Sequence, residues 1–72
     1  MNAYYIDFWL KNDVVIQTYF DTNSDNITLL AKLVNTTQSY IITNLRENGH
    51  IIAINKDEIA CIEIVGEEVN NA

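Results

Sequence analysis

The sequence predicts an α+β domain of order ββαβββ, with a mostly antiparallel sheet and one helix packed on it. Three observations predict this class. Apolar residues recur at alternate positions in two runs near the N-terminus, they recur at helical spacing in the middle of the chain, and an Asn-Gly pair separates two later apolar runs. A small half-open β-barrel is the alternative, because the same strands would form it if the sheet curled.

The first two strands are predicted from the alternation between Tyr4 and Phe20. A three-residue loop, Lys11 to Asp13, would pair Phe8 with Ile16 and create one continuous apolar face. That face consists of Tyr4, Ile6, Phe8 and Leu10 on the first strand and Val14, Ile16, Thr18 and Phe20 on the second.

The opposite face of this hairpin is also rich in large side chains. It holds Tyr5, Asp7, Trp9, Val15, Gln17 and Tyr19. Tyrosine and tryptophan combine apolar area with a hydrogen-bonding end and are enriched in binding hot spots. Two readings stay open: the face is a second core layer, or it is a surface that a partner covers. We take Tyr5, Trp9, Val15 and Tyr19 as candidate partner-binding residues.

The helix is predicted to follow the polar loop of residues 21–26. Asn23, Ser24 or Asp25 can cap its N-terminus. The apolar residues at helical spacing are Ile27, Leu30, Ala31, Leu33 and Val34, and one face of the helix should therefore lie on the sheet. The run of residues 35–37, Asn-Thr-Thr, should end it, because these side chains compete for backbone hydrogen bonds.

The second hairpin is predicted from Asn48-Gly49, a pair that favours the positive φ angles of a type I′ turn. The third strand would run from Ser39 to Leu45 and the fourth from His50 to Asn55. The turn would place Glu47 opposite His50. One face of the hairpin would then contain Ile41, Thr43, Leu45, Ile52 and Ile54.

The fifth strand is predicted over Ile59 to Val65, after a turn at residues 55–58. Ile62 and Ile64 should point inward by alternation. Residues 66–72 are polar and acidic, and we expect them to form a flexible tail after a single domain of residues 1–65.

The charge of the chain restricts its partners. Ten acidic residues against four basic ones give a net charge of −6, which repels phosphate and disfavours direct binding of nucleic acid. The same charge favours a protein partner with a basic surface. Several acids lie late in the chain, and we add Glu63, Glu67 and Glu68 to the candidate partner-binding residues.

Catalytic and cofactor chemistry is not indicated. His50 and Cys61 are the only histidine and cysteine, and no third group is evident to orient them as a catalytic pair. We therefore expect no enzyme activity, no metal and no cofactor. The N-terminus lacks a secretion pattern and no apolar run is long enough to span a membrane, so we expect a location in the cytoplasm of a bacterial host.

The leading functional hypothesis is a non-enzymatic protein-binding module. Its most concrete form is a small acidic inhibitor, encoded by a phage or mobile element, that blocks a host nucleic-acid-handling enzyme of a defence system. Small size, acidity and an abundance of Asn and Ile, which have AT-rich codons, motivate it. The alternatives are a structural homodimer or higher oligomer, and an oligomeric sponge for small ligands or nucleotides.

Overall fold

The computed structural model describes residues 1–69 and has the predicted order of two strands, a helix and three strands. The elements are β1 (Asn2–Leu10), β2 (Val15–Thr22), α1 (Asn26–Asn35), β3 (Tyr40–Leu45), β4 (Ile51–Asn55) and β5 (Ile59–Val69). A single 3-10 turn, Lys56–Glu58, links β4 to β5. The described residues thus form a mostly β structure with one helix, as the α+β prediction requires.

The five strands form one antiparallel sheet in the order β4-β3-β2-β1-β5. The sheet is open, with β4 and β5 as its edges, so it does not close into a barrel. The turn between β4 and β5 nevertheless joins these opposite edges. The Lys56 N–H donates to Ser39 O, beside β3, and Glu58 O accepts from Lys11 N–H, beside β1, each over 2.8 to 2.9 Å. Three residues can bridge the edges only if the sheet curls strongly at that end.

The first hairpin has the predicted register. Phe8 lies opposite Ile16, and the loop of residues 11–13 places Asp13 at a φ of 69°. A left-handed residue at the end of a three-residue loop is the usual way to close such a hairpin. This register brings the apolar face of the hairpin to the side that α1 covers. The core contains Tyr4, Ile6, Phe8, Leu29, Leu33, Ile41 and Ile54.

The second hairpin does not form the predicted type I′ turn. Within residues 1–69, positive φ angles occur only at Asp13 and Gly49, so Asn48 lacks the angle that this turn requires. The loop is instead four residues long, and Leu45 N–H donates to His50 O over 2.9 Å. The predicted pairing of Glu47 with His50 is therefore wrong.

The faces of the second hairpin are nonetheless as predicted. Ile41 lies opposite Ile54 and Thr43 opposite Ile52, all on the buried or half-buried side. The real register differs from the predicted one by an even number of residues. Since side chains alternate with a period of two, an even displacement leaves every residue on its expected face.

The helix begins at one of the three predicted caps. The Asp25 carboxylate accepts a hydrogen bond from Thr28 N–H over 2.7 Å. The buried face differs from the prediction: Leu29 and Leu33 are buried, whereas Ile27 is 77% exposed. Ile27 lies in the first turn, outside the stripe that faces the core.

Within residues 1–69, no helix has the length and apolar character needed to cross a membrane.

The fifth strand is longer than predicted, because β5 continues past Val65 to Val69. Gly66 lies opposite Tyr5 and Glu68 opposite Ala3, so residues 66–69, predicted as tail, belong to the sheet. The polar sequence of residues 66–69 does not indicate a strand, since the outer positions of an edge strand need no apolar side chain. The remainder of the predicted tail, residues 70–72, lies outside the described residues.

Candidate functional site

The sheet face turned away from α1, here called the outer face, gathers most of the candidate partner-binding residues. Tyr5 lies opposite Tyr19, and Trp9 lies opposite Val15. Across the other side of β1, Glu63 lies opposite Asp7. We call the following set the aromatic–acidic surface: Tyr5, Trp9, Val15, Tyr19, Glu63 and Glu68.

The aromatic residues of this surface are not enclosed. Trp9 is 39% exposed and Val15 is 38% exposed, while Tyr5 and Tyr19 are half-buried. The helix and the core residues lie on the opposite side of the sheet. The described residues therefore form no second core layer over this face, which was the first of its two readings.

The polar ends of two aromatic residues are joined to the acids of β5. The Tyr5 hydroxyl donates to the Glu68 carboxylate over 2.8 Å, and Trp9 Nε1 donates to Glu63 Oε1 over 3.3 Å. The hydrogen bond to Glu68 raises the pKa of Tyr5 above its ordinary value. The negative charge of Glu68 and partial burial add to this effect, and Arg46 opposes it. These bonds hold the rings and carboxylates in a defined arrangement.

Arg46 is the main residue of this face that the sequence reasoning did not select. Its guanidinium lies 2.8 Å from Asp7 Oδ1 and 5.4 Å from the centre of the Tyr5 ring. Its Nη2 also donates to Thr18 O over 3.3 Å. Asp7 and Glu63 lie opposite each other on neighbouring strands, and Arg46 offsets the repulsion between like charges that this placement creates.

A groove of about 640 Å³ opens beside the paired tyrosines. It is lined by Met1, Ala3, Tyr5, Tyr19, Asp21, Arg46 and Glu68. Gly66 forms part of its support, because a Cβ atom at that position would stand only 3.0 Å from Cδ2 of Tyr5. The Tyr5 ring thus approaches β5 through space that a side chain at residue 66 would occupy.

Glu67 is the one candidate that the structure separates from the others. It lies opposite Tyr4, whose side chain enters the core, and so stands on the other side of β5 from Glu63 and Glu68. A β-bulge between Tyr5 and Ile6 in the β1–β5 pairing changes the alternation at this point. Because residues 66–72 are predicted as a flexible tail, alternation assigns no face to Glu67 or Glu68, and the three acids appear equivalent in the sequence.

The residues considered for catalysis are not brought together. His50 immediately precedes the edge strand β4, whereas Cys61 is exposed on β5 at the opposite edge. Among residues 1–69, no group of three or more His, Cys, Asp or Glu side chains is arranged to hold a metal ion.

Asp7 and Arg46 differ in whether a local sequence pattern predicts their place on the outer face. Asp7 was placed on the outer face by alternation alone, but Arg46 reaches that face because the chain after β3 pairs with β2. Its backbone N–H donates to Gln17 O over 3.0 Å. A pairing between segments about 30 residues apart leaves no local pattern in the sequence.

Comparisons with known proteins do not assign the chain to a class. No protein-family model matches it. No curated protein and no solved structure matches it either. The geometry and chemistry of the aromatic–acidic surface are therefore what indicates a function.

Proposed function

We propose that this chain is a non-enzymatic protein-binding module, and that the aromatic–acidic surface is its binding face. One observation carries the proposal: aromatic rings that α1 does not cover share one side of the sheet with carboxylates and are hydrogen-bonded to them, Tyr5 to Glu68 and Trp9 to Glu63. Such a surface offers large apolar area and negative charge to one partner.

The aromatic residues supply the contact area. Tyrosine and tryptophan lose little conformational entropy on binding, because few of their bonds rotate. Here the Trp9 and Tyr5 rings are already held by Glu63 and Glu68, which reduces the ordering that binding would require. This preorganisation favours a binding role over a role in solubility alone.

The charges select the kind of partner. The outer face carries the carboxylates of Asp7, Asp21, Glu63 and Glu68 against the single guanidinium of Arg46. A protein with a basic groove complements this surface, and the −6 net charge of the chain would speed their encounter. Basic grooves of this kind commonly bind nucleic acid, so the carboxylates would stand where phosphates otherwise lie.

The most concrete form of the proposal is an inhibitor. The chain would block a nucleic-acid-handling defence enzyme in the cytoplasm of a bacterial host, on behalf of a phage or other mobile element. Its small size and excess of acids support this form, and the Asn- and Ile-rich composition agrees with an AT-rich source.

The test begins with affinity capture from a lysate of the native host, followed by binding measurements on the purified partner. Replacing Glu63 and Glu68 by lysine should weaken binding at least about tenfold, because two attractive contacts become repulsive. The matched control replaces Glu58 and Glu67 by lysine. Both control residues are exposed acids, Glu58 in the turn before β5 and Glu67 on the other side of β5, and the change in net charge is the same.

The comparison of the two variants decides the electrostatic part of the proposal. Equal loss of binding in both would mean that only total charge matters. Unchanged binding in the Glu63 and Glu68 variant would contradict the proposed face.

The aromatic part is tested with Trp9→Ala. An interface anchor of this type should cost roughly 30-fold in affinity when truncated. Ile27→Ala serves as its control, since Ile27 is an apolar residue exposed on α1, away from the outer face. An affinity within about twofold of the unmodified chain for both variants would remove Trp9 from the interface.

A second candidate function, small-ligand binding, is favoured by the groove beside Tyr5 and Tyr19, whose 640 Å³ lies within the size range of ligand sites. The carboxylates of Asp21 and Glu68 in its lining repel phosphates, so nucleotides are less favoured as ligands of this groove than molecules without phosphate. A thermal-shift screen that includes nucleotides tests it. A rise in Tm that disappears in Tyr19→Ala would support ligand binding, and no rise with any compound would count against it.

A further inference from the structure

The outer face of the β3–β4 hairpin forms a second exposed surface, distinct from the aromatic–acidic surface. Ile42 is 68% exposed and Ile51 is 76% exposed, and Tyr40 and Ala53 beside them are also exposed. Neither Tyr40–Leu45 nor Ile51–Asn55 contains a charged residue. A contiguous uncharged apolar patch of this kind usually marks a contact surface.

This patch ends at a free strand edge. β4 is the last strand on its side of the sheet. The residues that flank β4 on either side, His50 and Lys56, bond to the β3 segment. His50 O accepts from Leu45 N–H, and Lys56 N–H donates to Ser39 O. Because backbone groups alternate in direction along a strand, those of Ile51, Ala53 and Asn55 point away from β3, toward the open edge.

The open edge of β4 lacks the features that usually prevent strand pairing. Proteins protect edges with charges, prolines or bulges. The edge at β5 has them: its pairing with β1 contains two irregularities, and it carries Glu63, Glu67 and Glu68. β4 has no charge and no proline, and its pairing with β3 is regular over all five residues.

We propose that two copies of this chain pair through β4, antiparallel, about a two-fold axis at Ala53. In that register Ala53 faces its own copy and Ile51 faces Asn55 of the second copy. These are the residues whose backbone groups point outward, so each pair can exchange two hydrogen bonds. The pairing joins the two sheets edge to edge.

The charge distribution selects a second copy over other partners for this edge. Two chains of net charge −6 repel each other wherever their acids meet. Neither Tyr40–Leu45 nor Ile51–Asn55 contains a charged side chain, whereas a basic partner would find its complement on the aromatic–acidic surface. An uncharged strand with unpaired backbone groups is complementary to an identical strand. The β4 edge and the aromatic–acidic surface share no residue, so the proposed dimer does not depend on the proposed function.

The first experiment measures mass by sedimentation or light scattering over a range of concentrations. The unmodified chain should reach twice its monomer mass of 8.2 kDa. Ile51→Lys and Ala53→Lys should each weaken association at least about tenfold, because a charge would enter the edge contact. Ile27→Lys is the matched control, since Ile27 and Ile51 are 77% and 76% exposed and receive the same change. The control should remain dimeric.

A second experiment tests the register directly. In a Cys61→Ser background, Ala53→Cys should form a disulfide between two copies under mild oxidation, because the Cα atoms of a hydrogen-bonded antiparallel pair lie about 5.5 Å apart. Ile27→Cys in the same background should not. A monomer at all concentrations, or a dimer that persists in both lysine variants, would overturn the proposal. Failure of Ala53→Cys to cross-link while a dimer is present would overturn the register.

Discussion

Arg46 connects two strands of the sheet, β1 and β2, although it lies in a loop. Its backbone bonds to β2, its guanidinium pairs with Asp7 on β1, and the same group lies over the ring of Tyr5. Its Nε is buried without a hydrogen-bond partner, so the residue carries a desolvation cost that only the Asp7 contact and the Nη2 bond to Thr18 O offset. The aromatic–acidic surface therefore depends on a residue that is not one of its members.

Removing Asp7 should destabilise the fold by more than an ordinary surface substitution. Asp7→Ala leaves a guanidinium that is only 29% exposed without its carboxylate, and we expect a loss of about 1–3 kcal/mol, less than for a fully buried pair. Urea denaturation of Asp7→Ala, Arg46→Met and the double variant measures it. Additive losses would show that the two side chains do not stabilise each other.

Gly66 offers a second test at the residue scale. Gly66→Ala places a methyl group against the Tyr5 ring, which the Glu68 hydrogen bond and Arg46 hold in position. We expect a loss of about 1 kcal/mol in unfolding free energy, the lower range for overpacking. In a Tyr5→Ala background the same change should have little effect. An equal loss in both backgrounds would assign the cost to the β5 backbone instead.

Among individual residues, the sequence predicted those whose position follows from alternation. Tyr5, Trp9, Val15 and Tyr19 occupy one face because a single hairpin register fixes all of them. Glu67 is predicted together with Glu63 and Glu68 because an expected tail assigns no face to residues 66–72, whereas β5 continues to Val69 and a β-bulge sets the side of each acid. The role of Arg46 depends on the pairing of β2 with β3, which no local sequence pattern predicts.

At the scale of elements, the N-terminus of α1 gives the chain a measurable pH dependence. The backbone hydrogen bond from Thr28 lowers the pKa of Asp25 below its ordinary value. A lowered carboxyl pKa in the folded state means that the stabilisation is complete above the unfolded pKa, near 4, and is lost as the pH falls through the folded value.

Asp25→Ala should therefore reduce Tm at neutral pH, and the difference from the unmodified chain should shrink as the pH falls below about 4. Circular dichroism melting curves between pH 7 and pH 2.5 measure both. A difference that stays constant across this range would mean that the ionised carboxylate of Asp25 does not stabilise the helix.

The predicted elements agree best where several patterns coincide. In the first hairpin, alternation and loop length both specify one register, and the structure has it. In the second hairpin, Asn48-Gly49 was a sufficient reason to expect a turn but not its type, since tertiary contacts selected a four-residue loop. In α1, more apolar residues have helical spacing than the buried stripe contains, and the packing of the helix on the sheet determines that Leu29 belongs to it.

At the scale of the whole molecule, the two proposed interfaces should respond to salt in opposite directions. Salt screens the attraction between the acidic outer face and a basic partner, so raising NaCl from about 20 to 300 mM should weaken that binding. It also screens repulsion between two chains of net charge −6, so dimer formation through β4 should strengthen. Calorimetry and sedimentation measure the two. A dimer that weakens with salt would mean that charge pairs hold it.

The overall class followed from the sequence, but the curvature of the sheet did not. Element order and faces depend on local periodicity, whereas the strand order places β5 beside β1 through contacts between the two ends of the chain. A three-residue link between β4 and β5 can serve adjacent strands or opposite edges of a curled sheet, and the residues themselves do not distinguish these cases.

The position of β5 has a consequence for how the chain is made. β1 supplies Tyr4, Ile6 and Phe8 to the core, yet one of its two neighbours is β5, the fifth strand in chain order. Until that strand has emerged, β1 has an uncovered backbone edge and the core is incomplete. Folding of the core therefore has to wait until residues 59–69 have left the ribosome, and a ribosome stalled before residue 59 would hold a nascent chain that is open to proteases.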